Sequence, residues 1–116
     1  MSATPIAQCD VATLATRLAG DETSRDFVLL DVREDWEREI AAIEGSFNVL
    51  MNDIPDRLDD IRAEQQDKDL IVFCHKGSRS MVIAQFLQRS GFERVINLTG
   101  GIDAWSQLTA DSRHLY

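Results

Sequence analysis

Two short runs of consecutive apolar residues constrain the fold of this chain more than any other feature. Residues 27–30 (Phe-Val-Leu-Leu) and 70–73 (Leu-Ile-Val-Phe) show no alternation between apolar and polar positions. A strand with one face in water alternates, whereas a strand inside a parallel sheet is buried on both faces and reads as a continuous apolar run. Apolar residues at helical spacing occupy the segments between the runs. The sequence therefore predicts an α/β fold, with a parallel sheet covered by helices on both faces.

The remaining elements follow from turn residues and from helical spacing. We predict further strands at 4–7, 47–50 and 95–98, and helices at 11–18, 34–40, 53–65 and 80–90, with a short helix after Gly100 and Gly101. No linker or repeat interrupts this order, so residues 1–116 are predicted to form a single domain. Its core extends over about residues 4–108, and residues 109–116 are expected to form a loose tail.

Charge and cysteine content narrow the possible partners and compartments. The formal net charge of −8 argues against nucleic acid and anionic membranes, which both attract basic surfaces. No apolar run approaches the roughly 20 residues that cross a bilayer. Two cysteines, Cys9 and Cys74, are too few for a disulfide scaffold in a chain of this length. We therefore expect a cytoplasmic protein with free thiols and with neither nucleic-acid nor membrane partners.

Cys74 is the residue with the clearest chemical role. It stands at the carboxyl end of the second apolar run, where open parallel sheets place their ligand crevices. The loop that follows comprises His75, Lys76, Gly77, Ser78 and Arg79. Inward-pointing backbone N–H groups, the start of a helix and two cations each favour a thiolate over a thiol. We interpret Cys74 as a nucleophile, and the alternative is a small buried residue that ends a strand.

The residues after the first apolar run are expected to support this loop. Asp31 and Arg33 follow that run, and parallel strands bring their carboxyl ends to one edge. Arg33 is positioned to pair with Glu37, four residues further along a helix. Cys9 is interpreted as an inert packing residue, and so are Trp36 and Trp105. Two cysteines and two scattered histidines do not form a zinc site, so no metal ligands are predicted.

Several segments, taken in order, resemble single-domain rhodanese-like proteins. They are Asp31-Val32-Arg33, Trp36-Glu37, Cys74-His75-Lys76-Gly77-Ser78-Arg79-Ser80-Met81 and Gly100-Gly101-Ile102-Asp103-Ala104-Trp105. The resemblance runs from about Asp10 to Ser106. It implies a five-stranded parallel sheet between helices, and a cysteine that carries sulfur as a persulfide. By that resemblance Cys74 is the sulfur carrier and residues 75–79 bind its substrate, without a metal or organic cofactor.

The chain departs from the family pattern at three positions. Ala42 stands where the family usually has histidine, and Leu50 stands where it usually has proline. Neither position lies on the predicted sulfur loop. His75 directly follows the cysteine, where thiosulfate-active relatives often have arginine, and this leaves the preferred donor open.

The resemblance implies a thiosulfate sulfurtransferase. It would take sulfur from thiosulfate or a similar donor and pass it to cyanide or a thiol, with a thioredoxin-like protein among the candidate acceptors. One alternative is a catalytically quiet persulfide carrier or a regulatory interaction module. A phosphatase or arsenate reductase is a more distant alternative, because those enzymes place five residues between cysteine and arginine. Four residues separate Cys74 from Arg79 here.

Overall fold

The computed structural model describes residues 5–21, 23 and 25–109. Its strands are β1 (Ala7–Cys9), β2 (Phe27–Asp31), β3 (Phe47–Asn48), β4 (Asp69–Phe73) and β5 (Val95–Leu98). Its α-helices are α1 (Val11–Leu18), α2 (Asp35–Ile40), α3 (Leu58–Gln65), α4 (Ser78–Arg89) and α5 (Gly101–Leu108), and a 3₁₀ helix covers Met51–Asp56. Strands and helices alternate along the chain, which confirms the predicted α/β class.

Within the described residues, all strands belong to one parallel sheet. Their order is β1-β5-β4-β2-β3, with β4 at the centre between β2 and β5. The last residue of β4, Phe73, lies opposite Asp31, the last residue of β2. The carboxyl ends of these neighbouring strands therefore meet at one edge of the sheet, as predicted.

Strand β4 anchors the two apolar layers of the core. Leu70 and Val72 contribute to the layer beneath α3 and α4, and Ile71 and Phe73 contribute to the layer beneath α1 and α5. All four side chains are completely buried, and each such burial contributes about 1.5–3 kcal/mol. Because successive residues of a strand point to opposite faces, Cys74 continues the series towards α4.

Some element boundaries differ from the predicted ones. Strand β1 begins at Ala7 rather than at residue 4, because its pairing with β5 runs from Ala7 to Cys9. Strand β3 is shorter than predicted and ends at Asn48. Residue 4 and the predicted tail beyond residue 109 lie outside the described residues. Helix α4 begins at Ser78, two residues earlier than predicted, so the loop after Cys74 is shorter.

The helix predicted over residues 53–65 is divided into two segments. Pro55 lies inside the first, the 3₁₀ helix, and has no backbone N–H to continue an α-helical ladder. Its ring also disfavours the α conformation at Ile54. The backbone turns at Arg57, whose N–H donates to the carbonyl of Ile54 at 3.0 Å. Helix α3 begins only at Leu58.

Helix α2 directs a charged side chain into the protein. Glu37 is 1% exposed, whereas Trp36 is 53% exposed and Ile40 is 37% exposed. Trp36 is therefore not a core residue, while Trp105 packs against the apolar layer beneath α1 and α5. Among the described residues, no helix combines the length and the apolar character needed to cross a bilayer.

Candidate active site

Cys74 lies at the end of β4 with its sulfur atom facing the start of α4. Its Sγ atom accepts hydrogen bonds from the backbone N–H groups of Gly77, at 3.1 Å, and of Ser80, at 3.3 Å. Gly77 is the N-cap residue of α4, so these are amides of a helix N-terminus, where N–H groups lack intrahelical partners. The helix dipole also favours negative charge there. The arrangement therefore stabilises a sulfur anion.

The backbone of Gly77 requires a residue without a side chain. Its φ of 104° lies in the left-handed region that glycine adopts at little cost. An added Cβ atom would also lie 3.4 Å from the backbone nitrogen of Gly100. The glycine allows the chain to turn from the end of β4 into α4 and to direct its own N–H group at Cys74.

Helix α5 holds the other side of the loop. The N–H groups of Ile102 and Asp103 donate to the carbonyl oxygens of Cys74 and His75, each at 2.9 Å. This contact depends on Gly101, because a Cβ atom there would lie 2.5 Å from both carbonyl oxygens. The start of α5 therefore holds the backbone of Cys74 and His75 in place.

His75 contributes its backbone more directly than its imidazole ring. The ring Nε2 atom lies 4.0 Å from a carboxylate oxygen of Asp103. Burial lowers the pKa of His75 below its usual 6.5, and the nearby Asp103 carboxylate opposes this shift in part. Burial therefore favours the neutral form of the His75 ring.

Arg79 forms an ion pair with a buried carboxylate. Its two terminal nitrogens donate to the two carboxylate oxygens of Glu37 at 2.8 and 2.7 Å. These hydrogen bonds lower the pKa of Glu37, although its burial opposes the shift. The backbone N–H of Glu34 donates to the same carboxylate at 3.1 Å. Lys76, in contrast, is exposed and has no ion pair within the described part of the chain.

Asp31 and Arg33 form a second, completely buried pair beside this one. Two guanidinium nitrogens of Arg33 donate to Asp31 at 2.9 and 2.8 Å. Arg33 also donates to the backbone carbonyls of Glu37, at 3.3 Å, and of Ala41, at 2.8 Å. Arg33 was expected to pair with the Glu37 side chain. It contacts the Glu37 backbone instead, because that carboxylate is occupied by Arg79.

The predicted site residues thus have different positions around the sulfur. Within the predicted set 75–79, Gly77 donates a backbone hydrogen bond to Sγ, and Ser80, just beyond that set, provides a second donor. Asp31, Arg33 and Glu37 form a buried network that reaches the loop through Arg79. Sequence analysis missed two structural roles: Ser80, whose backbone N–H donates to Sγ, and Asn97, a polar residue inside the otherwise apolar run 95–98, whose side-chain oxygen accepts a hydrogen bond from the Ser80 hydroxyl. A polar residue in a buried strand is the signal that indicates such a role.

A cleft in the described part of the chain lies away from Cys74. It measures about 430 Å³ and is lined by Leu18, Arg25, Ala42, Ile43, Glu44, Gly45 and Trp105.

These features define a class of protein: a small α/β domain with a cysteine at the carboxyl end of a central strand, facing the amides of a helix N-terminus. The chain belongs to the rhodanese-like domain family, whose model matches residues 10–108. Among curated proteins, a sulfurtransferase of Allochromatium vinosum is 34% identical over 100 residues, which cover 86% of this chain and 88% of that protein. These findings confirm the family resemblance.

Solved structures support the same fold. A rhodanese-related protein of Thermoplasma volcanium superposes with a TM-score of 0.75 at 24% identity, over 88% of this chain and 92% of that one. A Rhodopseudomonas palustris protein of unknown function, named a possible tyrosine phosphatase, gives a TM-score of 0.80 at 24% identity. The superposition covers 90% of this chain and 82% of that protein. At this identity both likenesses show the fold alone, and they bear out the predicted rhodanese-like sheet between helices.

Proposed function

We propose that the chain is a sulfurtransferase in which Cys74 carries sulfane sulfur as a persulfide. The observation that carries this proposal is the pair of backbone amides, from Gly77 and Ser80, that point at the Cys74 sulfur atom. Donors fixed in advance stabilise a charged sulfur without reorganising during the reaction. The sulfurtransferase relative supports the same class of reaction.

In the first step the Cys74 thiolate attacks the outer sulfur of thiosulfate. A bond forms between the Cys74 sulfur and that outer sulfur, and the bond between the two sulfur atoms of thiosulfate breaks. Sulfite leaves with the electron pair, so the total charge is unchanged. The product is a Cys74 persulfide anion, whose charge the amides at the start of α4 stabilise.

In the second step an acceptor takes the outer sulfur. Cyanide attacks it to give thiocyanate, or a thiolate attacks it to give a new persulfide, and the Cys74 thiolate is regenerated. Neither step exchanges electrons with an outside oxidant or reductant. Both therefore proceed without a metal or an organic cofactor, and a thioredoxin-like protein is a candidate source of the accepting thiol.

The local charges favour a small anionic donor. Lys76 is an exposed residue of the loop and is available to attract such a donor, whereas Arg79 is paired with Glu37. A donor must approach a chain with a formal net charge of −8, so this local attraction opposes the overall field. Lys76 is therefore the donor-attracting cation of the proposed site.

The leading alternative is a persulfide carrier or regulatory module that exchanges sulfur slowly. It uses the same Cys74 geometry, because a site that holds a persulfide need not turn over rapidly. A phosphatase is disfavoured because the Arg79 guanidinium, which such an enzyme would use to bind phosphate, makes two hydrogen bonds to the Glu37 carboxylate.

The test is thiocyanate formation from thiosulfate and cyanide by three proteins. Wild type and Cys9→Ser should both be active, because Cys9 packs in the apolar layer on the other face of the sheet from Cys74. Cys74→Ser should be inactive. Turnover by Cys74→Ser would contradict the proposal. Wild-type hydrolysis of aryl phosphates in place of sulfur transfer would favour the phosphatase.

A further inference from the structure

Asn97 is a buried amide at the back of the sulfur loop. It lies in β5 and is 3% exposed. Its Oδ1 atom accepts a hydrogen bond from the hydroxyl of Ser80 at 2.5 Å, and its Nδ2 atom lies 3.4 Å from the carbonyl oxygen of Gly77. Gly77 and Ser80 are the two residues whose N–H groups point at the Cys74 sulfur. One side chain thus contacts both residues that hold the sulfur.

The orientation of this amide is itself fixed. Nδ2 of Asn97 also donates to Oε1 of Gln8 in the edge strand β1, at 3.2 Å. The hydroxyl of Thr99 donates to the same Gln8 oxygen at 3.0 Å. The amide oxygen therefore faces Ser80, and the amide nitrogen faces Gly77 and Gln8. A flipped amide would place its oxygen against two acceptors, the carbonyl oxygen of Gly77 and the side-chain oxygen of Gln8.

The contacts of Asn97 set the spacing of the two backbone N–H groups that donate to the Cys74 sulfur. Gly77 is in a left-handed conformation before the first turn of α4, and Ser80 lies within that turn. The N-terminal turn of a helix frays when no other part of the protein holds it, because its first N–H groups have no intrahelical partners. Asn97 links this turn to β5, a strand of the rigid sheet, and thereby resists fraying.

We propose that Asn97 is a positioning residue for the sulfur site, which holds the Gly77 and Ser80 amides at the spacing that a charged Cys74 sulfur requires. The role rests on the proposed sulfur transfer. It extends that function to a residue that does not contact the Cys74 sulfur.

The chain offers a matched control for this role in Gln65. Gln65 is also a buried amide, 6% exposed, and its Nε2 atom donates to the carbonyls of Lys68, at 3.0 Å, and Glu93, at 2.7 Å. These contacts lie before β4 and β5, at the opposite edge of the sheet from Cys74. Gln65→Ala should therefore lower the unfolding temperature without affecting the sulfur site.

The experiment compares Asn97→Ala with Gln65→Ala in the whole protein. The readout is the first-order rate of sulfur uptake by Cys74 at saturating thiosulfate, followed by intact mass and expressed per folded molecule. We expect at least about a tenfold loss for Asn97→Ala, because small displacements of reacting groups cost one to two orders of magnitude in rate. Gln65→Ala should keep the wild-type rate. A wild-type rate in Asn97→Ala would overturn the proposal.

Two further measurements keep the test decisive. If Asn97→Ala does not fold, Ser80→Ala removes the hydroxyl that donates to Asn97, together with its 3.2 Å contact to the Gly77 carbonyl, while keeping the Ser80 backbone N–H. This variant should also slow uptake. An unchanged rate in Ser80→Ala would overturn the proposal in that case. If wild type takes up no sulfur, the proposed function fails separately. Amide hydrogen exchange then tests Asn97 alone: the Gly77 and Ser80 amides should exchange about tenfold faster in the variant, and unchanged exchange would refute the role.

Discussion

At the scale of single residues, the positive charge near Cys74 is divided between a paired cation and a solvated one. Arg79 makes two hydrogen bonds to the carboxylate of Glu37, which is 1% exposed, whereas Lys76 is an exposed residue of the loop. A guanidinium that makes two parallel hydrogen bonds to a carboxylate is held rigidly, and the carboxylate neutralises most of its positive charge. We therefore expect Arg79 to contribute mainly to the structure of the site and Lys76 to attract anions.

This division predicts different effects for two alanine variants. Lys76→Ala should raise the thiosulfate KM about two- to fivefold with an unchanged unfolding temperature, since exposed charges interact by up to about 1 kcal/mol. Arg79→Ala leaves the buried Glu37 carboxylate without its ion-pair partner. It should lower the free energy of unfolding by about 1–3 kcal/mol, less than for a fully buried pair because the Arg79 side chain is 35% exposed.

Steady-state kinetics and thermal unfolding of both variants check this prediction. The contrary result is an Arg79→Ala protein of wild-type stability whose thiosulfate KM rises more than that of Lys76→Ala. Arg79 would then be the donor-binding cation despite its contact with Glu37.

At the scale of elements, the start of α5 is the part of the fold that supports the Cys74 backbone. Its first N–H groups bind the carbonyls of Cys74 and His75, while the start of α4 supplies the amides for sulfur. Two helix N-termini therefore meet at this loop, and a single residue without a side chain, Gly101, allows the approach.

Gly101→Ala should damage both the fold and the site. The new Cβ atom would lie 2.5 Å from two backbone oxygens, and φ at this position is +58°. Left-handed strain alone costs about 1–3 kcal/mol, and the close contact adds to it by displacing the loop. Thermal unfolding and sulfur uptake should both report the loss.

Gly20→Ala is the matched control for this substitution. A Cβ atom at Gly20 would have only an ordinary contact, 3.6 Å from the carbonyl oxygen of Arg17. It should keep wild-type uptake and stability. Equal behaviour of the Gly20 and Gly101 variants would show that the approach of α5 does not matter.

The elements that sequence predicted well are those whose local pattern agrees with their burial. The strands around residues 27–30, 70–73 and 95–98 were predictable because an apolar run buried on both faces has few alternatives. Helix α2 was predictable in position but not in orientation, since its buried residue is Glu37 while Trp36 remains exposed. Glu37 faces inward because it pairs with Arg79, which lies 42 residues away in sequence. No local pattern reveals such a pair.

The candidate site divides in the same way. The position of Cys74 and the need for Gly77 follow from a strand, a turn and a helix that are consecutive in sequence. The contacts of Ser80 with Asn97 and of Cys74 with α5 join segments that only the folded sheet brings together. Sequence analysis could therefore propose Cys74 and Gly77 as site residues, but it could not predict the contact of Ser80 with Asn97 or that of Cys74 with α5.

At the scale of the whole molecule, acid stability depends on the Glu37–Arg79 pair. Hydrogen bonds from Arg79 hold the pKa of Glu37 below its usual 4.5. The unfolded chain therefore takes up this proton at a higher pH than the folded chain does. The stabilisation is complete above pH 4.5 and is lost as the pH falls through the folded-state pKa.

Glu37→Gln should consequently make the stability of the protein depend less on pH in the acid range. The variant should unfold at a lower temperature than wild type at pH 7, and the difference should shrink as the pH falls from about 5 to 3. Thermal unfolding across this range measures it. A difference that stays constant with pH would mean that the carboxylate does not contribute through its charge.

The central claim, that Cys74 accepts and holds a sulfur atom, is tested most directly by the intact mass of the protein after incubation with thiosulfate. Wild type should gain the mass of one sulfur atom and lose it on addition of cyanide or a small thiol, and Cys74→Ser should gain nothing. A wild-type mass that does not change, or an equal gain in Cys74→Ser, would contradict the account.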